Sequence, residues 1–415
     1  MNLLSTLVVV VVVGLTNLIA AQDCYAQQSE SGQGLVIYSQ AQLDQLTQNC
    51  TQLHGDLVVG TNYTGSFIVH NVTNITSSIG LNNSTTGLTS LEAPDLVALY
   101  SAGFYCPSSL RSISLPRLET AEVLTVKAGS AITVSTPSLR NVSYLNLYGS
   151  SISFDFPKLE LITTGSSICG EAGCDMMSSQ AMDVDLPALR EAASLSVGGN
   201  VSSLSLPVLA SAGNITQAMT TGYGSYGAGL SVYTTQLLNF SVPELSYLNG
   251  TLSLQGVFND SISTPSLINA TGDIVIEAWT PVGLNFSTLE YVDDITITGT
   301  ITSADFSSLR SVNQFSLSSS QYLNCANVLP SNTSFVQAHC DAAPQKKSAL
   351  ARNVGIGVGV GVGVSLLLAV AGIWIYRRRQ AARKKKGKAP VTRSGSSSGT
   401  GEDSTVELRP ILGYA

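Results

Sequence analysis

Few residues in this chain are of kinds that do chemistry, and their spacing argues against most of it. Asp183 and Asp185 alternate with Met182, Val184 and Leu186. On a strand that puts both carboxylates on one face, as a general acid–base or cation-binding pair; a solvated outer face gives the same pattern. Asp293 and Asp294 are adjacent, so on a strand they point opposite ways and do not cooperate. His54, His70 and His339 are far apart, and no His/Cys spacing resembles a metal site. No Gly-x-Ser-x-Gly nucleophile motif occurs. The expectation is a protein that is not an enzyme and holds no metal or cofactor.

Tyrosine offers a different chemistry. The stretch Thr221-Gly-Tyr223-Gly-Ser-Tyr226-Gly-Ala-Gly-Leu-Ser-Val-Tyr233 sets rings among Gly and Ser. That is the composition of adaptable binding loops, and tyrosine rings stack on sugar faces. Trp279 is a fourth candidate contact. A surface loop of no function satisfies the same composition.

The cysteines and asparagines say where the chain lives. All seven cysteines lie within residues 24–340, as expected in an oxidising compartment. Cys24 and Cys50 bracket one segment, Cys325 and Cys340 another, and Cys169 and Cys174 a small Gly-containing loop. These are the expected disulfide cysteines, although spacing leaves the connectivity open. Cys106 is left over, as a buried thiol or an intermolecular bridge. Asn-x-Ser/Thr sequons occur at Asn49, Asn62, Asn71, Asn74, Asn82, Asn83, Asn141, Asn200, Asn214, Asn239, Asn249, Asn259, Asn269, Asn285 and Asn332. Their sugars would supply hydration that a chain with only 11% charged residues lacks.

That charge deficit, against roughly 25% in ordinary soluble domains, argues against a cytosolic enzyme surface and a nucleic-acid binder. Charge is also divided: −14 in residues 22–353 and +7 in residues 377–415. An apolar stretch separates the two parts. Residues 1–21 read as a signal peptide. Residues 354–376 carry no charge and are long enough to cross a bilayer as a helix. Eight of the next twelve residues are Lys or Arg, and positive residues stay cytoplasmic. The expectation is a type I single-pass protein of the plasma membrane. Its ectodomain is residues 22–343, its linker 344–353, and its basic, then Ser/Gly-rich, tail 377–415. A GPI signal would end in its hydrophobic stretch, whereas 39 residues follow this one. The basic cluster acts as a stop-transfer signal and attracts anionic inner-leaflet lipids. Gly355, Gly359 and Gly363 have the spacing for close pairing of spans in a homodimer; a low-complexity Gly-Val run gives the same spacing.

What positions everything outside is a repeat. Pro-x-Leu recurs at Pro94, Pro116, Pro137, Pro157, Pro187, Pro207, Pro243 and Pro265, with degenerate copies at Ser287 and Ser307. Seven of the nine spacings are 20–22 residues; the others, 30 and 36, read as the same unit with insertions. Each unit has a short alternation before the mark, such as Ile132-Thr-Val134, and another after it, such as Leu145-Asn-Leu147. Period-2 alternation is a half-buried strand, and one such unit cannot bury its apolar face without neighbours. The pattern predicts a mainly β, parallel β-solenoid of roughly ten to twelve rungs. Ser39 and the residues after it read as a short capping helix with Leu43 and Leu46 inward.

The opening, with Cys24, Leu35-Val-Ile-Tyr-Ser, Leu43, Leu46, Asn49-Cys50 and Leu53-His-Gly-Asp-Leu-Val-Val, resembles a receptor L-domain, a leucine-rich right-handed coil. The Ser-Leu-Pro-x-Leu rungs and dense sequons are similar to the fungal cell-wall organisation glycoproteins of the sporulation-specific and extracellular-mutant group. The resemblance covers residues 24–340. It implies a non-catalytic role in wall integrity, with wall glycan or wall glycoproteins as partners, and gives no catalytic residues to carry over. Members of that group are commonly GPI-anchored; this chain departs from them in its span and basic tail, which implies tethering at the plasma membrane. A single-pass ligand-sensing receptor is the alternative reading.

Overall fold

The computed structural model describes residues 22–26, 34–81, 84–149, 152–169, 181–213, 229–344 and 371–379. The chain divides into two compact units, Met1–Gln345 and Lys346–Ala415. The first is a parallel β-solenoid of about 13 turns. In the second, residues 371–379 are helical, and the Arg378 guanidinium lies 4.9 Å from the centre of the Trp374 ring. Among the described residues no helix is long and apolar enough to cross a membrane. The expected signal peptide, most of the expected span and most of the tail lie outside the described residues.

Each marked turn from Pro94 to Pro157 is a short strand, a corner at Pro-x-Leu and a longer strand. Ile132–Ser135, Thr136-Pro-Ser-Leu139 and Asn141–Tyr148 form one such unit. At the corner the Leu139 N–H donates to the Thr136 carbonyl at 3.0 Å, and Leu118 and Leu159 repeat this with Leu115 and Phe156. This is a β-turn with proline second, where a fixed φ helps and no N–H is required. The leucine of every mark from Leu96 to Leu309 is buried. Burying such a side chain is worth about 1.5–3 kcal/mol. Where serine replaces proline, its free N–H finds a local acceptor. Ser287 donates to Asn285 Oδ1 at 3.3 Å and Ser307 to Asp305 Oδ1 at 3.0 Å. An Asx-type closure thus substitutes for the ring.

The longer strands stack into a 20-stranded parallel sheet. Thr120–Ala128 pairs in register with Ala98–Cys106 on one side and Asn141–Tyr148 on the other. The short strands from Thr64–Ile68 to Ile152–Asp155 form a separate five-stranded sheet. From Gly229 onward the two faces are joined within single strands: Gly229–Ser241, Thr251–Ser263, Ile274–Asn285 and Asp294–Asp305. These bend at a corner where the register shifts. Gly256 (φ 130°) and Gly299 (φ 122°) sit there. A Cβ on either would strike the backbone of the preceding turn, at Thr234 and Ala278.

The core is one continuous ladder, with Phe104, Leu124, Leu145, Ile168, Leu195, Leu230, Leu252, Ile274 and Ile295 all fully buried. Phe286 and Phe306 stack with ring centres 5.4 Å apart. At the start, the helix Gln40–Thr47 buries Leu43, and its Ser39 N-cap accepts from the Gln42 N–H at 3.3 Å, as the sequence predicts. At the end, Cys325 and Cys340 are bonded (S–S 2.03 Å). That bond staples the last strand, Ser334–Ala342, to the 3₁₀ turn Cys325–Asn327.

The count of turns exceeds the ten to twelve expected. Proline marks begin only at Pro94, whereas the strands Gln52–His54 and Asn74–Leu81 already stack before it. Ser334–Ala342 adds a strand after the last mark. The long spacings do contain the ordinary unit. Cys169 pairs with Gly198 and Gly198 with Tyr233 across them.

Candidate binding face

The outward side chains of the long strands fall into straight columns, because the register is kept from turn to turn. One column runs Tyr233, Gln255, Glu277, Thr298. Trp279 follows Glu277 by two residues on the same strand. The Trp279 Nε1–H donates to Glu277 Oε1 at 3.0 Å, and Gln255 Nε2 donates to Glu277 Oε2 at 2.8 Å. The Tyr233 and Trp279 rings meet edge to face, centres 5.9 Å apart. Two of the four expected contact residues, 46 positions apart in sequence, thus form one exposed patch. Tyr223 and Tyr226 lie outside the described residues. Gln255 and Glu277, which orient the indole, are additions that sequence reading missed. Their spacing of 22 residues from Tyr233 and from each other was the available signal.

A second feature lies at the other end of the sheet. A shallow groove of about 410 Å³ crosses the strand starts, lined by Thr76, Tyr100, Glu122, Ser143 and Thr163 among others. Thr163 Oγ1 donates to Ser143 Oγ, and Ser143 Oγ to Glu122 Oε2, each at 2.9 Å. His54 Nδ1 is 2.8 Å from Thr76 Oγ1, and Tyr25 stacks on the imidazole at 4.9 Å.

The carboxylates are occupied by neighbours. Asp183 and Asp185 do share the outward face of Met182–Asp185. Ser202 and Ser203 hydroxyls both donate to Asp183 Oδ1 at 2.6 Å, and these bonds hold its carboxyl below the usual range. It is a poor proton donor near neutrality. Asp293 lies at a bend just before the strand that starts at Asp294, and neither side chain is buried. Asp293 accepts from the Asn313 side chain and Asp294 from the Gln314 N–H. Asp273 is pushed above the usual carboxylate range by desolvation, then by Asp294 and Asp293. Among the described residues no group of three or more His, Cys, Asp or Glu could hold a metal ion.

Cysteines divide into bonded and free. Cys169 is disulfide-bonded; Cys174, its expected partner, lies outside the described residues. Cys24 and Cys50 differ from expectation: both are thiols here, and the Cys50 S–H donates to the Gln52 carbonyl at 3.3 Å. Burial, then the neighbouring Cys24, raises the Cys50 thiol to about 12. Cys106 is a buried thiol, raised to about 12 by burial, with its S–H donating to the Phe104 carbonyl at 3.4 Å.

Of the sequon asparagines, Asn49, Asn62, Asn71, Asn141, Asn239 and Asn332 are exposed, and Asn74, Asn249, Asn259, Asn269 and Asn285 are half-buried. Asn200 is buried, at 8% exposure, so it could carry a sugar only if its corner opened. Asn82, Asn83 and Asn214 lie outside the described residues. Asn259 Nδ2 donates to Asn239 Oδ1 at 2.9 Å, a bond that one remaining amide N–H would still make after glycosylation.

The chain matches no protein-family model, no curated protein and no solved structure.

Proposed function

We propose that this chain is a non-catalytic, N-glycosylated cell-surface protein that supports fungal cell-wall organisation, held at the plasma membrane by a single span over residues 354–376. In this reading the solenoid is a right-handed, leucine-rich coil of the receptor L-domain kind. It stands outside the cell as a stiff scaffold and contacts wall glycan or wall glycoproteins through outward side chains. The basic residues from Arg377 to Lys388 lie against anionic inner-leaflet lipids.

One observation carries the reading. Eleven of the twelve described sequon asparagines reach the surface, on a coil whose inward positions are filled by Leu, Ile, Val and Phe. A repeat that hides its apolar ladder and shows hydroxyls, amides and sugar acceptors suits a hydrated wall. The same repeat tolerates few charges, because stacked turns set like positions ~4.8 Å apart.

The test is growth of a deletion strain on wall-binding dyes, rescued by the full chain or by a form cut after Lys388. The reading predicts dye sensitivity rescued by both. Rescue by the full chain alone would replace it with a signalling receptor, and a strain without sensitivity would contradict it.

A further inference from the structure

A tyrosine cluster on the first half of the sheet belongs to none of the features above. On the strands Asn74–Leu81, Ala98–Cys106, Thr120–Ala128 and Asn141–Tyr148, Gly80 pairs with Gly103, Gly103 with Thr125, and Thr125 with Asn146. Beside that column runs Tyr105, Lys127, Tyr148, and on its other side Ser101, Val123, Tyr144. The alternate residues Phe104, Leu124, Val126, Leu145 and Leu147 are buried, so all three columns face out. Tyr105 is 53% exposed. Nothing lies within 4 Å of where a Gly103 Cβ would be. The floor is therefore open at Gly103. Along it Asn146 Nδ2 donates to Thr125 Oγ1 at 3.3 Å, and the Tyr148 hydroxyl to Asn146 Oδ1 at 3.5 Å.

Three observations select an occupant. No described sequon asparagine falls on these columns. Asn74 and Asn141 begin their strands, before the register shifts that separate them from this face, so sugars on these two would border the face without covering it. Lys127, between Tyr105 and Tyr148 in register, is the one charged residue of the three columns. The matching columns of the later turns carry Asp273, Asp294 and Glu277. Finally, the face offers rings, hydroxyls and amides repeating every ~4.8 Å but lacks the apolar centre of a protein interface.

We infer that the face bounded by Tyr105, Tyr144 and Tyr148 binds a neutral polysaccharide chain laid along the coil axis. The rings lie on apolar pyranose faces, and Thr125 and Asn146 bond sugar hydroxyls over the open floor. The inference rests on the cell-surface reading only for where such a chain is met.

The experiment is affinity electrophoresis of the purified full chain in gels containing laminarin, cello-oligosaccharides or mannan, with alginate as a polyanion control. At least one neutral polymer should retard the chain, and alginate should not. Tyr105→Ala with Tyr148→Ala should weaken that binding about tenfold or more. Gly103→Leu, whose Cβ meets nothing within 4 Å, puts a side chain over the floor and should do the same with unchanged thermal unfolding. Tyr233→Ala with Trp279→Ala should leave the binding as it was. Retardation unaffected by either Tyr105/Tyr148 or Gly103 variant would overturn the inference. So would failure to bind all three neutral polymers, or a dimer in sedimentation that the same variants dissolve. Dye sensitivity of the deletion strain together with any of these results would leave the wall reading standing and remove only this site.

Discussion

The early and late turns of the solenoid keep one period and turn their corners differently. In the turns around Pro116, Pro137 and Pro157, a proline-initiated β-turn separates a strand of the five-stranded sheet from one of the 20-stranded sheet. From Gly229 to Asp305 the strand runs 12 or 13 residues through a second corner, where Gly256 and Gly299, at positive φ, alternate with Thr234 and Ala278. In the last two marks serine replaces proline, with Asn285 and Asp305 supplying the local acceptor. The surfaces differ as well. Early columns expose tyrosine beside glycine, while late ones expose Asp273, Asp294 and Glu277. The period is thus set by the buried ladder, and the corner chemistry is free to change so long as the inward residue stays apolar.

Substitutions at the two kinds of corner should separate them. Gly256→Val puts a Cβ into the Thr234 backbone at positive φ. It should cost on the order of 4 kcal/mol or prevent folding, read from the chemical-denaturation midpoint; an unchanged midpoint would mean that this corner does not require glycine. Thr136 stands before Pro137 with its hydroxyl buried and lacking a hydrogen-bond partner among the described residues. Thr136→Val should therefore stabilise the fold by about 1 kcal/mol in the same assay. Pro137→Ala keeps the turn and loosens only the unfolded chain, for a loss of about 0.4–1 kcal/mol. A loss as large as that at Gly256 would erase the distinction between corners.

The smallest effect is electrostatic and belongs to the late turns alone. Asp273 has its folded pKa raised by desolvation and by Asp294 and Asp293. A carboxyl shifted this way favours folding when protonated, so its ionisation costs stability as pH rises through the folded-state value. Asp273→Asn removes that cost. The melting temperature should rise by about 1 °C at neutral pH, and the gain should vanish in acid. A gain that persists in acid would point to packing instead.

The repeat was the legible part of the sequence. Proline and leucine at fixed spacing report a corner and a buried position directly, and both insertions could be subtracted because the unit resumed after them. The first turns were not legible, because Gln52–His54 and Asn74–Leu81 stack without a proline mark. Of the candidate site, Tyr233 and Trp279 were found by residue type. Gln255, Glu277 and the Tyr105–Tyr148 face needed register, since their partners lie one or two turns away in sequence. Cys24 and Cys50 show the converse. Their proximity was legible, but the structure holds them as thiols, and the oxidising compartment proposed for the chain would close them.

The central claim, a secreted solenoid clothed in sugar except on one face, is tested most directly by mapping glycan sites on the protein purified from its own cells. Peptide mass spectrometry after enzymatic deglycosylation in heavy-oxygen water marks each occupied asparagine. The account predicts marks at Asn62, Asn71, Asn141, Asn239 and Asn332, which are exposed, and none at Asn200, which is buried. A chain with no marked asparagine would contradict it.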